Sequence, residues 1–205
     1  MATLKKIDDS KVHIYNPFGL VVTPLVEKEE DGVKKLVEGD DAYLLKEVIR
    51  DTTTIAQDDP TETAVDNEFG AAPIINTITV GAFTFGAEVA DMQDELVKVL
   101  CGYKQGNSGK LYAPSTYVPK YAKIDLVFLA GQDESGNDKY IAAVLPKLQM
   151  NSKATFDSLS SSMGRITLAG TGLNLSITDG DDTIETPFYI EPDYELPEWK
   201  TTTGA

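Results

Sequence analysis

Apolar positions in this chain recur mostly with a period of two between short polar turns, as in strands that bury one face. In the run Ile74–Gly86, Ile74, Ile78 and Val80 share one parity while Phe83 and Phe85 take the other. A strand whose buried face changes parity needs a bulge or bend, and Gly81 stands at the switch. Residues 44–56 are rich in β-branched side chains, with Leu45, Ile49 and Ile55 on one parity. Pairing of 44–56 with 74–86 predicts a long hairpin. Its tip would be 57–73, where Pro, Gly, Asp and Asn fall without periodicity and read as a long loop.

The period then changes to four. Met92, Leu96 and Leu100 lie on one helical face with Val99 beside them, and Gly102 follows as a terminating glycine. Asp91 stands at the N-cap position, and Asp94 adds negative charge near the positive end of the dipole. The prediction is one helix over about 91–101, covering an edge or face of a sheet.

Beyond it, 103–120 reads as a loop and 123–130 as an apolar strand. Residues 140–153 form the return strand. There Tyr140, Ala142, Val144, Leu148 and Met150 share one parity, and Lys147, Gln149, Asn151 and Lys153 mark a solvated face. Residues 165–177 are a last strand, interrupted at Gly170 and Gly172. Before all of these, 1–43 reads as an irregular charged arm in which 20–27 and 33–37 form a hairpin about Asp31-Gly32.

From 178 onward Asp179, Asp181, Asp182, Glu185, Glu191, Asp193, Glu195 and Glu198 interleave with Phe188, Tyr189, Ile190, Tyr194 and Trp199. No Lys or Arg falls between Arg165 and Lys200. Two readings stand for this segment: a solvated acidic tail, or an arm whose aromatics dock on a neighbouring domain or subunit. The expected fold is mainly β, a β-sandwich or half-barrel with one flanking α-helix (about 91–101) and a long loop-bearing hairpin arm. The expected division is an N-terminal arm, 1–43; a β-sandwich domain, 44–177; and an acidic C-terminal arm, 178–205.

Charge narrows the function classes. The 205 residues carry a formal net charge of −15, which repels nucleic-acid phosphates and argues against an open DNA- or RNA-binding site. A DNA-facing surface that must not adhere is compatible with the same value. Cys101 is the only cysteine, so no intrachain disulfide forms, and a buried structural thiol is expected. The opening MATLKKIDDSKVHIYNPFG has charges where a signal peptide needs an apolar core, and no run reaches the roughly 20 apolar residues of a membrane helix. The chain is therefore expected to remain soluble and to be made in a cytoplasm.

Catalytic and metal-binding patterns fail individually. His13 is the only histidine and no nucleophile elbow accompanies it, so a Ser-His-Asp or Cys-His arrangement has no support. Zinc sites need several Cys or His ligands. The segment Gly106–Lys110 approaches a phosphate loop, but Lys104 replaces the first glycine and Leu111 replaces the magnesium-binding hydroxyl. The acid-rich turns at 133–138 and 179–182 lack EF-hand spacing and read as solvated turns. No carboxylate pair stands out for glycoside chemistry. The expectation is no catalytic residue, no metal and no cofactor.

Several segments, taken in order, do carry a resemblance. They are Asp51-Thr-Thr-Thr-Ile55, the acidic turn Asp66-Asn-Glu-Phe69, Pro73, the run 77–85 (TITVGAFTF), the series Asp91…Leu96…Leu100…Gly102, and the hairpin of 123–153. Across roughly 44–176 the chain resembles the major tail tube proteins of tailed bacteriophages. The resemblance implies hexameric rings that stack into a hollow tube, with inner sheets joined around a lumen through which double-stranded DNA passes without specific binding. It implies that the 57–73 loop reaches the next ring, with Asp58, Pro60, Glu62, Asp66 and Glu68 as candidate inter-ring contacts. Implied partners are further copies of the chain and other tail proteins such as the tape measure and tail terminator, with no membrane. The implied setting is a virion tail assembled in the host bacterial cytoplasm. The inner tube of a contractile tail or bacterial injection machine is a close variant. The competing reading is a non-enzymatic β-sandwich binding module for carbohydrate or a cell surface, which would cluster exposed aromatics on one sheet face. An acid-catalysis enzyme on a β scaffold has no residue pair to support it.

Overall fold

The apolar runs of the sequence become the central strands of one antiparallel sheet, and the polar punctuation becomes its projecting hairpins. A computed structural model describes residues 16–30, 32–65, 75–90, 93–116, 118–132, 135–155 and 164–198. In chain order the elements are β1 (Asn16–Glu30), β2 (Val33–Glu38), β3 (Tyr43–Leu45), β4 (Thr54–Gln57), β5 (Thr61–Val65), β6 (Ile75–Thr79), β7 (Phe83–Val89) and α1 (Asp94–Cys101). They continue with β8 (Lys104–Gln105), β9 (Leu111–Tyr112), β10 (Lys120–Gln132), β11 (Asp138–Met150), β12 (Lys153–Thr155), β13 (Arg165–Gly172), β14 (Leu175–Asp179), β15 (Asp182–Thr186) and β16 (Tyr189–Tyr194). The fold is mainly β, an open sandwich or half-barrel with one short helix among the described residues. The main sheet runs β2-β1-β10-β11-β13-β7-β4, with β3 against β1, β12 against β13 and β16 against β11.

The stretch expected as an irregular arm is strand from Asn16 onward. β1 pairs with β10 along one edge and with β3 and β2 along the other, and core packs on both of its faces, Leu20 and Val22 in one cluster and Val21 in the other. Its consecutive Leu20, Val21 and Val22 are therefore all buried, a pattern of central strands that alternation alone does not reveal. The expected hairpin with 33–37 forms, pairing Leu25 with Glu38 through Glu30 with Val33. Gly32 takes the left-handed conformation (φ 77°) in its turn.

β11 holds the main correction to the parity reading. Ala122 faces Leu148 but Ile124 faces Leu145, so Pro146 and Lys147 together oppose Lys123. Proline donates no ladder hydrogen bond, and a bulge is where a central strand tolerates it. The extra residue turns the strand over. Ala142 and Val144 pack with Val21, Val127 and Tyr194 on one face. Leu145, Leu148 and Met150 pack with Leu20, Val22, Ile124, Leu168 and the helix on the other. Residues 140–150 therefore do not share one buried face. At the same bulge β11 changes lateral partner, from β13 through 148–150 to β16 through 140–144.

α1 begins later than expected. Gln93, not Asp91, is the N-cap and makes no side-chain capping bond, and Asp94 is the first helical residue. Asp91 and Met92 lie outside the described residues. Asp94 and Glu95 supply negative charge to the first turn in place of a side-chain cap. Leu96, Val97 and Leu100 are buried, and Val99 is half-buried against the same core. Gly102 closes the helix as expected, at φ 74°, its N–H donating to the Lys98 carbonyl.

Two further expectations change. Residues 44–56 are not one strand: β3 ends at Leu45, Val48 makes an isolated bridge to Val89, and Asp51 turns at φ 62° before β4. Over 178–198 the acidic segment is not a free tail. β14 and β15 form a hairpin, and β16 adds to the protein's own sheet along β11.

Candidate functional site

β4 and β7 pair from Thr54 with Gly86 to Gln57 with Phe83, and β5 and β6 pair from Thr61 with Thr79 to Val65 with Ile75. Between the two ladders three residues on each side, 58–60 and 80–82, leave the pairing. The expected hairpin thus exists, but 57–73 is not a loop throughout, because Thr61–Val65 is strand. Alternating Thr and apolar residues carry enough β preference to extend the arm.

The interruption falls at Gly81. A Cβ there would overlap the Asp58 backbone carbonyl, so only glycine lets the strands cross this closely. Asp58 N–H donates to the Ala82 carbonyl at 2.9 Å and holds the crossing together. Below it the arm is anchored: Phe85 is buried, and Phe83 stacks on Phe188 with ring centroids 5.1 Å apart at 11°. Above it Ile78 and Val80 are 68% and 70% exposed. The parity assigned to a buried face in the sequence is therefore open to solvent.

Of the candidate inter-ring residues, Asp58, Pro60 and Glu62 lie exposed on this arm. Glu62 faces Ile78 across the β5–β6 ladder, which places a carboxylate beside the exposed apolar pair. Asp66 and Glu68 fall outside the described residues, as does His13.

A second cluster was not anticipated. Alternation on β10 turns Asp125 inward between Ile124 and Leu126, leaving it 2% exposed. Tyr194 of β16 donates its phenol to Asp125 Oδ2 at 2.7 Å. Lys123 Nζ lies 3.9 Å from the same oxygen and 3.2 Å from Glu38 Oε1. Asp125 Oδ1 has no hydrogen-bond partner among the described residues. Burial pushes the Asp125 carboxyl up to about 6, against the opposing pull of Lys123 and the Tyr194 hydrogen bond. Burial and the adjacent carboxylate together raise the Tyr194 phenol above its usual range. Burial opposes the charge of Lys123, yet Asp125 and Glu38 hold its ammonium above the usual value. The cluster borders a cavity of about 510 Å³ that Glu191, Asp193 and Glu195 also line. Its evident work is mechanical: one buried hydrogen bond fastens β16 to the sheet.

No family model matches the chain, and no curated protein matches it. Among solved structures it is similar to a chain of the cryo-EM structure of the anti-feeding prophage (AFP) baseplate, at 8% identity. That match covers 93% of this chain and 97% of the other, with a TM-score of 0.33. It is also similar to Hcp protein in its crystal structure, at 8% identity over 74% of this chain and 86% of that one, with a TM-score of 0.28. Likenesses this weak carry no inference about function.

Cys101 is half-buried, and burial pushes its thiol up to about 11. It packs against the core as a neutral side chain, as expected for a structural thiol. Among the described residues no group of three or more His, Cys, Asp and Glu is arranged to hold a metal ion, and no helix is long and apolar enough to cross a membrane. The missed signal at Asp125 was a lone carboxylate inside an otherwise apolar strand, KIDLVFLA, and its partner lay in the segment with two readings.

Proposed function

We propose that this protein is the structural subunit of a phage tail tube, forming hexameric rings that stack into a hollow tube for genome passage. The observation that carries this reading is the arm. It projects past the Gly81 crossing with Ile78 and Val80 uncovered and an acidic residue beside them. A monomer gains nothing by holding such side chains in water, whereas a neighbouring copy would bury them. The main sheet ends in two open edges, β2 and β4, and unpaired edges that endanger a monomer serve as joints in a closed ring. Contacts between unlike patches give either a ring or an open stack according to their rotation. The net charge of −15 suits a lumen from which DNA is repelled.

The six-fold ring, the tape measure and terminator partners, and the virion location rest on the resemblance of residues 44–176. A carbohydrate-binding sandwich is less favoured because several described aromatics pack inward, Phe83 on Phe188, Phe18 on Tyr140, and Tyr194 buried, while the exposed Tyr112 lies on the separate β8–β9 sheet. The direct test replaces residues 59–81 with an Asn-Gly turn between Asp58 and Ala82, which already share a hydrogen bond. The shortened chain should keep its circular dichroism spectrum and stop short of tubes at concentrations where the full chain forms them. Tubes from the shortened chain would sink the assigned role of the arm.

A further inference from the structure

Charge is segregated along this fold. Residues 96–124 contain Lys98, Lys104, Lys110, Lys120 and Lys123 and no Asp or Glu, in a chain of net charge −15. Between Arg50 and Lys98 there is no Lys or Arg, and the arm carries Asp58, Asp59 and Glu62. The C-terminus of α1, the small β8–β9 sheet and the start of β10 border a groove of about 780 Å³ to which Lys104 and Lys120 contribute and no Asp or Glu does. Leu100, Tyr112, Val118 and Met150 line it with Lys104 and Lys120. Tyr112 and Val118 are 54% and 65% exposed. By contrast Lys28, Lys34 and Lys35 on the β1–β2 hairpin pair with Glu27 or Glu30 within their own hairpin. Among the described residues Lys104 and Lys120 make no such pair.

We propose that this groove receives the arm of a second copy of the chain, with Ile78 and Val80 against Tyr112 and Val118 and with Asp58, Asp59 and Glu62 against Lys104 and Lys120. The proposal rests on the self-assembly reading above and supplies the surface that reading lacks. All four apolar side chains are exposed in the same monomer, so arm and groove do not cover each other within one chain. The two patches differ in shape and in sign of charge, and a contact between unlike patches propagates head to tail, as stacking requires. Apolar contact supplies the affinity. Opposite charges fix the register and steer encounter, even where each exposed pair contributes little by itself.

Charge reversal tests it. K104E/K120E should keep the wild-type circular dichroism spectrum and melting temperature, since both lysines are exposed. It should raise the concentration for half-maximal assembly, read by light scattering and negative-stain microscopy, about tenfold or more. D58K/D59K/E62K should do the same. A chain with all five reversals, or a mixture of the two variants, should assemble again, because each reversed arm then meets a reversed groove. Reversal of the lysines without effect on assembly, or loss of assembly that the five-fold reversal does not rescue, would overturn the groove while leaving self-assembly in place. Wild-type protein that never assembles would overturn both. Wild-type binding to duplex DNA that K104E/K120E abolishes, with assembly intact, would assign the groove to nucleic acid instead.

Discussion

Asp125→Asn separates the electrostatic cost of the buried cluster from its hydrogen bond. The amide keeps the size of the carboxyl and an oxygen to accept the Tyr194 hydroxyl, but it carries no charge. In the folded protein the Asp125 carboxyl titrates at about 6, against an ordinary value of 3.8. Between those values the folded state holds a proton that the unfolded chain has released. Stability therefore falls as pH rises through this window, and the full penalty is present above about pH 6. A shift of roughly two units corresponds to about 3 kcal/mol. Urea unfolding of wild type and D125N, at a concentration where both are monomeric, measures the difference from pH 4 to pH 8. The variant should gain about 3 kcal/mol on the wild type across the window, most of it between pH 4 and pH 6.5. Parallel stability curves, with a constant gap at every pH, would refute the assignment of a raised carboxyl to Asp125.

Other substitutions probe the latch, the arm and the helix. Tyr194→Phe removes the hydroxyl that donates to the buried carboxylate and should cost about 2 kcal/mol at pH 7.5, with a smaller loss at pH 5; an unchanged urea midpoint at pH 7.5 would contradict the latch. Gly81→Ala forces the crossing apart, so the Asp58 amide, bonded to Ala82 at 2.9 Å, should exchange with deuterium about tenfold faster or more. Protection retained there would show that the crossing tolerates a side chain. Gly102→Ala places a Cβ at φ 74° and should cost about 1 kcal/mol. By the usual scaling that lowers the melting temperature about 2–4 °C, and a rise would contradict the strained terminus.

Elements whose burial is one-sided were legible. Periodicity found α1 and its closing Gly102, the hairpin on either side of Gly32, and the arm with its switch at Gly81. What escaped was set by neighbours distant in sequence. The central place of Leu20, Val21 and Val22 in the main sheet escaped because a strand covered on both faces has no alternation. The parity of 140–150 misled because a bulge at Pro146 inverts it, and even-numbered residues on either side then face opposite cores. β16 carries Pro192 and three acids in or beside it, and no local rule assigns such a segment to a sheet; the partner that pulls it in is Asp125. Ile78 and Val80 show the converse, an apolar parity without a core to bury it. Such a pattern marks a face that gains by being covered, and sequence periodicity does not say whether a cover is the same chain or another.

The most direct measurement is negative-stain imaging of the purified full chain over a range of concentration and salt. Rings about a central lumen, lengthening into tubes as concentration rises, are the expected result. Uniform monomers under every condition would contradict the proposal that this protein builds a tube.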